Sequence, residues 1–352
     1  MSGLRVAVVS NRKYQVRVEA DAPPDALAEY DSEVTVEGIQ AALRTAGHDA
    51  FFLEADEAFF DVVRAARPDI CFNIAEGLRG DSRESHIPAI LEMLGIPYTG
   101  ARVLANALAL DKAAAKMVWR ESGLPTAPFQ LFHHAGAPLA PDMAFPLFVK
   151  PVHEGSGMGI NANSIVHDEA ELRAQVAWVI TTYRQPALVE TFLPGREFTV
   201  GLLGNTLLPG QAPRRRLRSD FYNARGFHLF PVLELDTQRG AVKGIYNAEA
   251  KSYALDDDNA PGYLCPADIP AALRETLFDM TMLAFEALGG LDLGRVDFRL
   301  GADGQPYIVE INLLPGLNPL VSDMIIVSRA GGVPYELLIN EVLNLARERY
   351  KI

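Results

Sequence analysis

Over the first hundred positions, short apolar runs alternate with longer amphipathic stretches. The run Val6 to Val9 precedes a helical periodicity over Glu33–Ala46, a second run at Ala50–Leu53, a helical stretch at Glu57–Ala66 and a third run at Ile70-Cys71-Phe72. Such alternation predicts βαβ units on a parallel sheet. Beyond Ile96-Pro97-Tyr98-Thr99-Gly100, an alanine-rich helix is predicted over Leu110–Ser122, with Gly123 and Pro125 marking its end and a boundary.

Strands at Leu147–Lys150 and Ile160–Val166 flank a loop holding three glycines, Gly155, Gly157 and Gly159. A helix follows over Asp168–Tyr183, started by Asp168 with Glu171 three positions on. Further strands are predicted at Ala187–Val189, Phe198–Leu203, Arg295–Leu300 and Tyr307–Ile311, and helices near Ala271–Leu288 and Pro334–Arg349. Positions 208–270 are polar, with Arg214-Arg215-Arg216, Arg218 and Asp256-Asp257-Asp258, and read as one long irregular stretch. A stretch of that length inside a folded chain is expected to be a working lid. No internal repeat or low-complexity tract is evident.

The 352 residues, 49% of them hydrophobic and 22% charged, suit a folded chain of more than one core. Acidic residues exceed basic ones by 45 to 32, a net charge of −13, which disfavours nucleic acid as a partner. The N-terminal apolar run is too short to cross a membrane and shows no signal-peptide pattern, so no membrane partner and a cytoplasmic location are expected. Two cysteines, Cys71 and Cys265, without CxxC spacing read as reduced core thiols.

The chemistry concentrates in three places. Gly294 to Leu300 and Pro306 to Asn312, joined by Ala302-Asp303-Gly304, read as a β-hairpin bringing Asp297, Glu310 and Asn312 together. Two carboxylates and an amide oxygen suit magnesium, which wants hard oxygens and keeps positions for water or phosphate. The alternative is a solvent-facing hairpin, but Val296, Phe298, Ile308, Val309 and Ile311 are apolar and imply burial. The second place is Lys150 leading into Glu154-Gly155-Ser156-Gly157, where backbone N–H groups could approach phosphate; Lys112 suits another phosphate contact. Alone, a glycine-rich hairpin loop is structural more often than not, and the lysine and the metal ligands shift that reading. The third is Glu190 to Val200, whose Glu190 and Glu197 could bond an adenine amine and ribose hydroxyls.

In this order the blocks resemble the ATP-grasp superfamily and, within it, the D-alanine-D-alanine ligase family. The resemblance runs from about Leu4 to the C-terminus and is densest at Leu94 to Gly100, Asp111-Lys112, Val149-Lys150-Pro151 with Glu154-Gly155-Ser156, Glu190 with Glu197 to Val200, and from Gly294 to Asp297 through Glu310-Ile311-Asn312 to Pro315-Gly316. It implies an α/β fold with α+β character in the C-terminal half, in three domains at 1–103, 104–190 and 191–352. ATP would lie between the last two. It further implies that Lys112 and Lys150 bind phosphates, Glu190 and Leu193 the adenine, Glu197 the ribose, and that Asp297, Glu310 and Asn312 hold two Mg2+ ions, with Mn2+ an alternative. Arg295 and the backbone at Gly316 would stabilise an oxyanion, Ser156 would face the substrate, and Lys251 would reach the transferred phosphate. The implied reaction joins two small amino or carboxylic acids through an acyl phosphate, and the implied assembly is a homodimer. The alternatives are a related ligase of a biosynthetic pathway that uses a different acid or amine, and a catalytically silent ATP-binding regulatory homologue.

The substrate side departs from that family. Asn73 to Ser82 stands where the family carries His-Gly…Gly-Glu-Asp-Gly, Ser252 where it has tyrosine, and Glu29 to Glu33 near where it has Gly-Gly-x-Ser-x-Glu. The acid and the amine are therefore left open.

Overall fold

A computed structural model of the chain describes residues 3–16, 21–207, 221–239, 245–249 and 261–352. Strand β1 (Arg5–Ser10), helix α1 (Glu33–Thr45), β2 (Asp49–Glu54), α2 (Phe59–Ala66) and β3 (Ile70–Asn73) form a parallel sheet ordered β2-β1-β3. Val6 to Val9 are fully buried, as expected of a parallel strand covered on both faces.

Helix α3 (His86–Leu94) ends at Gly95 in the left-handed conformation, and α4 (Val103–Leu110) and α5 (Lys112–Glu121) follow. The helix read from Leu110 thus begins two residues later, because the Asp111 carboxylate accepts the Ala114 N–H at 2.9 Å and caps α5.

Four antiparallel strands make the central sheet: β4 (Phe129–Phe132), β5 (Leu147–Pro151), β6 (Ile165–Val166) and β7 (Ala187–Thr191), ordered β4-β7-β5-β6. The strand expected from Ile160 shrinks to two residues because Asn161 to Ser164 turn on themselves, the Asn161 N–H meeting Ser164 Oγ at 3.0 Å. Helix α6 (Glu169–Tyr183) is capped by Asp168 as predicted.

The third sheet, ordered β11-β10-β8-β12-β13 with β9 also on β8, comprises β8 (Glu197–Gly204), β9 (Phe227–Leu229), β10 (Leu233–Asp236), β11 (Gly262–Leu264), β12 (Asp292–Leu300) and β13 (Pro306–Asn312). Strands β9 to β11 lie in the stretch read as irregular. Each is three or four residues long, too short for a period-two signal to stand out. The charged runs at Arg214–Arg218 and Asp256–Asp258 fall outside the described residues.

Helix α7 (Ala271–Ala287) covers the third sheet, and α8 (Asp323–Ala330) and α9 (Tyr335–Tyr350) close the chain. One hydrophobic cluster joins the ends, packing Val6, Val8 and Ile39 with Leu203, Leu233, Met324 and Val342. Buried Asp292 reinforces that union: its carboxylate takes Arg349 Nη2 at 2.6 Å, Arg349 Nε at 2.9 Å and the Gly100 N–H at 2.9 Å. Among the described residues no helix is long and apolar enough to cross a membrane.

Candidate active site

The hairpin β12–β13 builds the floor. Its register pairs Arg295 with Asn312 and Asp297 with Glu310, so these four side chains share one face. Val296, Phe298 and Ile308 are fully buried and Ile311 nearly so, anchoring the opposite face. A bulge after Asp297 adds one residue to β13 and turns Val309 toward the same cleft as Glu310.

That cleft runs between the central and third sheets. Phe148, Met158, Ile160, Phe192 and Leu193 give it an apolar end, while Lys112, Lys150, Asp297 and Glu310 give it a charged one. Glu197 lines it beside Arg299, with Nε 3.6 Å from the carboxylate.

Lys112 reaches this cleft because α5 starts at it: Lys112 Nζ lies 3.4 Å from Glu310 Oε2 and also donates to the Glu154 carbonyl. One turn on, Lys116 shares the same helix face and is fully buried. It pairs with Glu190 at 2.8 Å, and Lys150 pairs with the other Glu190 oxygen at 2.7 Å. Burial alone would raise the Glu190 carboxyl, but the two ammonium groups outweigh it and hold it at about 2. The carboxylate read as an adenine contact is thus committed to two lysines. Lys116 was not singled out in the sequence, although its i,i+4 spacing from Lys112 was visible there.

Two further expectations change. The Gly155 N–H, read as a phosphate donor, is taken by Glu29 Oε1 at 2.7 Å, and the Gly159 N–H by Asp25 at 2.8 Å. Glu154 is tied to Gln185 Nε2 at 2.6 Å and to Arg83 at 3.0 Å. Arg83 also grips Glu29 at 2.6 Å and the His153 carbonyl at 2.8 Å, so it joins the segment after β3 to the glycine-rich loop. No sequence motif advertised Arg83. Gly157, at φ +73, has the Asn247 backbone where a Cβ would stand, 2.8 Å away, so only glycine fits this crossing.

A second cavity of about 510 Å3 adjoins the first, and Tyr246 lines both. Ser156, read as facing the substrate, lines it together with Arg295 and Gly316, read as oxyanion contacts, and Asn312, read as a metal ligand. Ser156 is held at φ 50, left-handed for a non-glycine residue, a strain that clusters at functional sites. Lys251 lies outside the described residues.

The oxygens at the floor fit a divalent cation. Asn312 Oδ1 accepts the Leu314 N–H at 2.9 Å, which fixes the amide with its oxygen defined. Asp297 is oriented by Arg295 Nε and Nη2, both at 3.0 Å, and by the Thr199 hydroxyl. Asp297 and Glu310 keep partial exposure to the cleft, 14% and 23% for their side chains. Among the described residues no three His, Cys, Asp or Glu side chains gather as a metal site, so an ion here would draw on the amide oxygen and on substrate phosphates or water.

The family described as D-ala D-ala ligase C-terminus matches residues 118–226 and 227–344. The chain belongs to the D-alanine-D-alanine ligase family. Within that family, the D-alanine--D-alanine ligase of Bordetella petrii is 35% identical over 282 residues, 80% of this chain and 77% of that protein. The protein y4sG of Sinorhizobium fredii is 34% identical over 322 residues, 89% of this chain and 88% of that one. The structure of D-alanine--D-alanine ligase from Bacillus anthracis complexed with ATP superposes with a TM-score of 0.71 over 99% of both chains at 20% identity, which establishes the ATP-grasp fold.

Proposed function

We propose that the chain is an ATP-dependent carboxylate–amine ligase. One observation carries this reading: Lys112 and Lys150 face Asp297 and Glu310 across one cleft, cationic groups for a polyphosphate beside hard oxygens for its counter-ion. The donor carboxylate attacks the γ-phosphorus of ATP, releasing ADP and forming an acyl phosphate. The amine then attacks the acyl carbon, loses its proton and expels inorganic phosphate.

Lys112 and Lys150 hold the phosphates, with Glu190 and Lys116 fixing Lys150 in place. Asp297, Glu310 and Asn312 would hold magnesium, which when bound supplies charge neutralisation of the phosphates. Arg295, kept cationic by Asp297 and Asp323 against the lowering effect of burial, stands where an oxyanion would form, with the Gly316 backbone beside it. Ser156 orients the substrate in the second cavity, and the apolar end with Leu193 and Glu197 takes the nucleoside. Lys251, outside the described residues, is the residue that the family resemblance would bring to the transferred phosphate.

The test is purified protein with ATP, magnesium and pools of D- and L-amino acids, reading phosphate release and product mass. New amide mass with stoichiometric phosphate supports the reading; no turnover with any pool favours a silent ATP-binding homologue.

A further inference from the structure

The glycine-rich loop is gripped from two sides. On one, the Ala248 N–H donates to the Gly157 carbonyl at 3.3 Å. On the other lies the segment between β1 and α1. It turns through two backbone bonds, Ala26 N–H to the Pro23 carbonyl at 3.1 Å and Ala28 N–H to the Asp25 carbonyl at 2.8 Å. These turns set Asp21, Asp25 and Glu29 against the central sheet's loop and helix, where Asp21 pairs with Arg184. Asp25 accepts the Gly159 N–H and the Tyr183 hydroxyl, each at 2.8 Å. Glu29 accepts the Gly155 N–H at 2.7 Å with one oxygen and buried Arg83 at 2.6 Å with the other.

The two carboxylates therefore hold the ends of the loop and leave its middle. Among the described residues the N–H groups of Ser156 and Gly157 take no partner. Ser156 lines the second cavity, and Gly157 lines the first cleft with Lys112, Lys150 and Glu310. Two unpaired N–H donors thus sit where the cleft meets the cavity, the crossing a phosphoryl group makes between nucleotide and acid. Backbone N–H groups are strong donors that call for an acceptor when a ligand covers them. A glycine-rich segment also has the most backbone freedom to lose when a ligand orders it. Pins at Gly155 and Gly159 remove that freedom beforehand, so less of the binding free energy goes into ordering. Arg83 offsets the charge that Glu29 brings toward a polyphosphate.

Building on the ATP-dependent reading above, we propose that Asp25 and Glu29 are positioning residues that hold the loop ready for the terminal phosphate of ATP. The segment 21–31 touches the loop from outside, at its ends, and the phosphate is received at Ser156 and Gly157. Because Glu29 and the residues after it also line the second cavity, one segment shapes both the phosphate contact and the substrate wall.

The experiment is calorimetry on the full chain with magnesium, comparing β,γ-imido-ATP with ADP. In Asp25→Ala and in Glu29→Ala the affinity for the imido analogue is expected to fall about tenfold while that for ADP stays within about twofold, because only the analogue carries the phosphate that the loop receives. Asp25→Asn, whose amide oxygen still accepts the Gly159 N–H, should keep the parent's ratio. Should the alanine variants fail to fold, Glu29→Asp retains the charge but is one methylene too short to span Arg83 and Gly155, and the same selective loss is expected. An unchanged ratio in the folded variants, an equal loss for both nucleotides, or tighter binding of the analogue overturns the proposal, the last because it would make the segment a competitor of phosphate. If the parent binds neither nucleotide, the ATP-dependent reading itself fails, and the proposal falls with it.

Discussion

Replacing Lys116 by methionine probes the buried triad that positions Lys150. The substitution preserves length and apolar bulk but removes one of the two cations on Glu190, at 2.8 Å, and the bond from Lys116 Nζ to Thr126 Oγ1 at 2.6 Å. Holding Glu190 at about 2, against its ordinary 4.5, corresponds to roughly 3 kcal/mol of stability. That contribution is present above the unfolded pKa and is lost as pH falls through about 2. Lys116 offsets part of it, since burial above all lowers its own pKa. Lys150 still pairs with Glu190 in the variant, so the net loss at neutral pH is about 2 kcal/mol, a drop of a few degrees in Tm. Lys150, now the sole counter-charge, is drawn from the nucleotide phosphates, and KM for ATP rises about tenfold, or 1.4 kcal/mol. Thermal unfolding and steady-state kinetics measure both. A variant melting within a degree of the parent with an unchanged KM would refute the reasoning.

Glu310→Gln should abolish phosphate release while leaving the circular dichroism spectrum and Tm unchanged; near-normal release would sink the metal assignment. Arg349→Met strips the bidentate partner from fully buried Asp292 and should cost about 3–5 kcal/mol, read from the urea midpoint. Asp31 and Glu84, raised to about 7, bind protons in the folded state that the unfolded chain has already released, so stability falls as pH rises from about 4 to about 7. Melting profiles across that range should show the slope, and Glu84→Gln should flatten it. Thr199→Val removes the hydroxyl that donates to Asp297 and should lower kcat more than it lowers Tm, by a factor of about ten.

The sequence by itself determined the local and the paired. Apolar runs announced β1, β2 and β3, Asp168 announced the start of α6, and two strands around a turn brought Asp297, Glu310 and Asn312 together. All of these depend on periodicities of two or 3.6 residues, which a chain carries without knowing its partners. The tertiary structure decided what comes together across long separations. Lys116 met Glu190 74 positions on because α5 lies against the central sheet, and Arg83 met Glu29 and Glu154 where three segments converge. The Gly155 and Gly159 N–H groups looked free in the sequence, and the residue 25–29 segment folded over them. No periodicity encodes such meetings, because ion pairs and cavity walls depend on how whole sheets pack rather than on neighbours in the chain.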